Sequence, residues 1–83
     1  MARYTYFVDK ETQQQIGMEL WKIRRDKRLQ LRNVESQTHI PANLIERIEI
    51  GRNLNYSIVR RLITFYGKKM KVVFEDEQTS ESV

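Results

Sequence analysis

The chain contains no cysteine, so neither a disulfide nor a cysteine-ligated zinc site can supply stability. A single histidine, His39, has no cysteine partners with which to hold a metal, and no metal site is expected. No stretch approaches the eighteen or so apolar residues of a membrane span. The opening Met1–Tyr6 lacks the apolar core of a secretory signal peptide. These absences lead to the expectation of a soluble, cytoplasmic protein with no membrane partner. Neither a nucleophile–base set nor a glycine-rich phosphate loop is present, so no enzyme and no cofactor are expected.

What is present is short and basic. Eighty-three residues make one small domain, of a size that often completes its core by oligomerising. The net charge is +4, and it is unevenly spread. Residues 16–71 carry thirteen Lys/Arg against five acids, whereas residues 72–83 carry four acids and no base. A basic body with an acidic end fits a domain that binds a polyanion, although a solvated basic surface would carry the same charge.

The apolar spacing then divides the chain. Tyr4, Tyr6, Phe7 and Val8 are aromatic or β-branched, so residues 1–9 read as an N-terminal arm or short strand. Asp9 is an N-cap candidate for a first helix that opens at Lys10. Ile16, Leu20 and Ile23 share one face of that helix. Leu31, Val34 and Thr38 repeat the spacing in a second helix, and Leu44, Ile45 and Ile48 in a third. Pro41 is placed in the first turn of the third helix and Gly51 at its stop. Asn55 is a cap for a last helix burying Tyr56, Val59, Leu62, Ile63 and Tyr66 and ending at Gly67. From Met70 the period changes to two, with Met70, Val72 and Phe74 alternating with Lys71, Val73 and Glu75, which predicts a strand at 70–75. Residues 76–83 read as a disordered acidic tail. In all, a mainly α protein of five short helices and a C-terminal strand is expected.

Ile16-Gly17, Leu20, Ile23-Arg24, Leu29, Val34, Ile40, Ile45, Ile48-Glu49, Gly51, Leu62 and Tyr66-Gly67 together resemble the Cro/C1 (XRE-type) helix-turn-helix family. The fragment Leu44–Gly51 is similar to the family's close of its recognition helix. The resemblance runs without a gap from Ile16 to Gly67 and implies a five-helix, lambda-repressor-like DNA-binding domain at 10–67. Three residues depart from the family pattern: Leu31 replaces a glutamine that touches phosphate, Glu35 a small residue and His39 a glycine.

The resemblance implies roles residue by residue. Ala42, Asn43 and Arg47 fall at its base-reading positions. An asparagine can bond an adenine edge in two places and an arginine a guanine, while Ala42 could meet a thymine methyl. Glu46 accepts from cytosine or pairs with Arg47. Arg32, Arg52, Asn53, Asn55 and Ser57 are expected on phosphates, and Arg60 and Arg61 on a solvated face. Arg24 and Glu49 match a family ion pair that ties the first helix to the end of the third.

A strand at 70–75 would leave its backbone groups unpaired in one chain. Two copies pairing about a two-fold axis would form a dimer interface through Met70, Val72 and Phe74, and would space two reading helices for a palindromic operator. That layout resembles HipB-like antitoxins, which repress their own operons and bind a toxin. Sequence-specific recognition of double-stranded DNA by a homodimeric repressor is therefore the leading expectation, with a cognate toxin as a further partner. A protein-interaction module with weak DNA binding stays open because of Leu31. A single-strand binder stays open because of Trp21 and the N-terminal tyrosines.

Overall fold

The computed structural model describes residues 9–53, 55–74 and 76. The Asp9 carboxylate starts the first helix by accepting from the Thr12 N–H at 2.8 Å. That bond, helped by the Thr12 hydroxyl, holds the Asp9 carboxyl below its usual value. Helix α1 runs Lys10–Asp26, α2 Leu31–Thr38, α3 Ala42–Glu49 and α4 Tyr56–Phe65.

Four helices, not five, form among the described residues. Nor does a C-terminal strand appear: Met70–Phe74 carry neither helix nor ladder and are exposed. The alternating pattern of 70–74 suits a strand, but a strand exists only through hydrogen bonds to a neighbour, and none of the described residues supplies one. The expected arm falls on residues 1–8, and the acidic tail beyond Asp76 on residues 77–83; both lie outside the described residues, as does Glu75.

Leu20, Val34, Ile40, Ile45, Ile48, Val59, Leu62 and Tyr66 form one buried core to which every helix contributes. Ile16, Ile23, Leu29, Leu31, Leu44, Ile58 and Ile63 pack around it, partly buried. Truncating a fully buried member such as Ile45 to alanine costs about 2–5 kcal/mol. Tyr56 is not among them. It opens α4 and is 62 % exposed, whereas Val59 and Leu62 further along the helix are fully buried.

Helix α3 packs against both α1 and α2, and α2 packs against α4. The α2–α3 connection is only His39, Ile40 and Pro41. His39 closes α2 in the left-handed conformation at φ 63°, and its N–H donates to the Glu35 carbonyl. Histidine tolerates this region better than β-branched residues do, although glycine suits it best. Pro41 is the N-cap of α3 rather than part of its first turn, with φ −56° and ψ 138°. Between them Ile40 is fully buried, which pins the turn to the core.

At the end of α3, Gly51 turns the chain at φ 82°, a region costly for any other residue. The Gln13 amide donates to its carbonyl at 2.7 Å, fastening α1 to the α3 terminus. The Asn55 side chain caps α4 by accepting from the Ile58 N–H at 3.2 Å.

Candidate nucleic-acid interface

Because Ile45, Ile48 and Glu49 are turned inward, the helical period leaves Asn43, Glu46, Arg47 and Ile50 on the outer face of α3, all exposed. Ala42 is half-buried at the start of the helix. Its N–H donates to a Glu35 carboxylate oxygen at 3.3 Å, so an α2 side chain holds the N-terminus of α3. Arg32 is exposed in the first turn of α2, on the same helix as Glu35.

Beyond α3, Arg52 is exposed, Asn53 half-buried, and Asn55 and Ser57 exposed. The Asn55 carboxamide oxygen is engaged as the α4 cap, and its NH2 makes no hydrogen bond among the described residues. Arg60 and Arg61 share the Ser57 side of α4, but Arg61 is not simply solvated. Its guanidinium donates to the Thr38 carbonyl at the end of α2. Thr38 in turn gives its hydroxyl hydrogen to the Val34 carbonyl at 2.7 Å and accepts from the Ile40 N–H at 3.2 Å. This chain of bonds holds the α2–α3 turn from α4. Spacing alone carries no sign of it, because the acceptor is a backbone carbonyl 23 residues away.

Behind the outer face, Arg24 and Glu49 make a bidentate pair. Arg24 Nε donates to Glu49 Oε2 at 2.7 Å and Nη2 to Oε1 at 2.8 Å. The third donor, Nη1, reaches the Leu29 carbonyl at 3.0 Å, so one guanidinium joins α1, the α1–α2 turn and α3. The Glu49 bond raises the Arg24 pKa further, against its desolvation. The guanidinium therefore stays charged in the pair. Close by in charge terms is Tyr66, only 2 % exposed, whose hydroxyl has no partner among the described residues. Burial first, and then the Glu49 charge, push the phenol from its usual value near 10 up to about 12, with Arg24 opposing.

Glu46 points toward a shallow open cleft between α1 and α3, lined also by Met18, Trp21, Leu31 and Ile50. It makes no ion pair with Arg47 among the described residues. Met18, Trp21 and Ile50 are large apolar side chains left 52 %, 41 % and 56 % exposed. Arg25 lies over the Trp21 ring, 4.8 Å from its centroid, and shields one side of it. Met70, Val72 and Phe74 do not line this cleft and are 37 %, 72 % and 95 % exposed.

Among the described residues no group of histidines and carboxylates could hold a metal ion, and no helix is long and apolar enough to cross a membrane. Searches against family models, curated proteins and solved structures return no match to the chain.

Proposed function

We propose that the protein is a sequence-specific, double-stranded DNA-binding regulator of the Cro/C1 type that represses transcription as a homodimer. The observation that carries this reading is the outer face of α3. Asn43 and Arg47 stand exposed together there, on a helix tied to α1 by Arg24–Glu49 and joined to α2 by a three-residue turn. Eight residues make a helix about 12 Å long, close to the width of the DNA major groove. Asn43 and Arg47 read base edges, with Ala42 and Glu46 beside them. Arg32, Arg52, Asn53, Asn55 and Ser57 ground the domain on phosphates. The function needs no cofactor and no catalysis.

The dimer forms through the C-terminal segment. Val72, Val73 and Phe74 are consecutive apolar residues with most of their surface in water, and Met70, two residues earlier, is partly exposed. Pairing with a second copy would satisfy the backbone and cover these side chains, making the strand an intermolecular feature. A dimer so built matches a palindromic operator, and the layout suits an antitoxin that also holds a toxin.

A second reading, a protein-interaction module with weak DNA binding, is favoured by the cleft at Leu31. Leu31 stands where the resemblance has a phosphate-touching glutamine, and it shares the cleft with Met18, Trp21 and Ile50. Exposed apolar surface of this kind serves a protein partner better than a phosphate backbone.

Selection from random duplex DNA, followed by titration of the enriched site, separates the two. The DNA-reading function predicts a two-fold symmetric site with half-sites about 10 bp apart and a steep loss of affinity with salt. Arg47→Ala should weaken that site by about 1–3 kcal/mol and relax preference at one base position. No enrichment, with Arg47→Ala binding like wild type, would leave the interaction module as the function.

A further inference from the structure

We propose that Glu35 is a specificity-determining residue of the DNA-reading face, acting mainly by penalising non-cognate duplex. This rests on the DNA-binding function proposed above. Glu35 lies on α2, yet one of its carboxylate oxygens accepts from the Ala42 N–H, the first residue of α3, at 3.3 Å. The carboxylate is therefore held at the leading end of the helix that enters the groove. It is exposed and makes no ion pair among the described residues.

A carboxylate so placed meets different surroundings in the two kinds of complex. In a non-cognate complex the protein is held by phosphates alone, without a fixed register. Any phosphate that approaches the α3 N-terminus then faces a negative charge where the helix end would otherwise offer a free N–H and a positive dipole. In the seated complex the same end faces base edges instead of backbone. There the second carboxylate oxygen, not needed for Ala42, can accept from the N4 amino group of a cytosine. The charge thus costs affinity where register is wrong and is answered by a donor where it is right, which is discrimination by repulsion as much as by attraction.

The protein's cations make such a brake useful. Arg32, Arg47, Arg52 and Arg60 are exposed, and a basic surface alone binds all duplexes alike. The neutral, nearly isosteric variant Glu35→Gln keeps an oxygen for the Ala42 N–H and removes the charge.

The test measures affinities of wild type and Glu35→Gln for the selected site and for random duplex, at two salt concentrations, with thermal unfolding as the check on folding. Glu35→Ala is carried alongside to separate loss of charge from loss of the hydrogen bond. The expected result is random duplex bound about threefold to fivefold tighter by both variants, with no gain on the selected site, so that the ratio of affinities falls. A ratio within twofold of wild type, in a wild type that does discriminate, overturns the role of Glu35 and leaves DNA reading intact. If wild type itself binds no site in preference to random duplex, DNA reading and this role both fall.

Discussion

Gly17 on α1 lies directly against the backbone of Ile48 at the end of α3: a β-carbon at position 17 would stand 2.7 Å from the Glu49 carbonyl oxygen and closer still to that of Ile48. Only a residue without a side chain lets the two helices approach this closely, and the approach is what brings Arg24 within bonding range of Glu49. Alanine would ordinarily favour a helix interior over glycine by about 1 kcal/mol. Here the obstructing atoms are backbone and cannot rotate aside, so the clash should win. Gly17→Ala is expected to lower stability by about 1–3 kcal/mol, read as a fall in the thermal or denaturant midpoint. An unchanged or raised midpoint would mean that α1 is not held against α3 in this way.

The Arg24–Glu49 pair should matter more when broken than its net worth suggests. Glu49→Ala would leave a half-buried guanidinium with only the Leu29 carbonyl, a loss of about 3 kcal/mol. Replacing both residues by methionine should recover much of that, because the cost of one unpaired charge disappears. A double-mutant cycle in urea tests it; additive losses would show that the two side chains do not act as a pair.

Tyr66 gives the opposite prediction. Its hydroxyl is buried without a partner among the described residues, so Tyr66→Phe should be neutral or stabilising by up to about 1 kcal/mol at neutral pH. The folded pKa, about 12, lies above the ordinary value of 10. A raised pKa means that folding favours the neutral phenol. The corresponding stability is fully present below pH 10 and is lost as pH rises toward 12. Denaturant unfolding across that window should show a falling slope in wild type that Tyr66→Phe reduces.

His39 occupies the left-handed region at φ 63° in the α2–α3 turn. Glycine there removes a conformational cost of roughly 1–2 kcal/mol but adds freedom to the unfolded chain, so a net gain of about 0.5–1 kcal/mol is expected for His39→Gly. His39→Val, β-branched and ill-suited to positive φ, should destabilise. If the two variants melt alike, the turn conformation is not the one described.

The proposed dimer is tested at Val72, which is 72 % exposed. Val72→Glu should convert a dimer to a monomer in sedimentation while leaving the melting of α1–α4 little changed. A mass unaffected by this change, with wild type a dimer, would move the interface elsewhere.

Much of the helical frame is legible in the sequence alone. Asp9, Asn55 and Gly51 mark helix ends through bonding capacities that each residue carries locally, and Leu20, Val34, Ile45, Ile48, Val59 and Leu62 show their shared faces through spacing alone. The turn at His39–Pro41 and the outward position of Asn43 and Arg47 follow from that register. Other features depend on atoms distant in the chain. Arg61 on the Thr38 carbonyl, Glu35 on the Ala42 N–H, the clearance at Gly17 and the union of Leu31 with Met18, Trp21 and Ile50 in one cleft all require a particular packing of helices. Residues 70–74 mark the limit from the other side. Their alternation is written in the sequence, but whether alternation becomes a strand depends on a neighbour to complete its hydrogen bonds. Local chemistry therefore determined where the helices begin, end and turn their apolar faces, while the tertiary structure alone decided which side chains meet, because hydrogen bonds and steric fit across elements have no period along the chain.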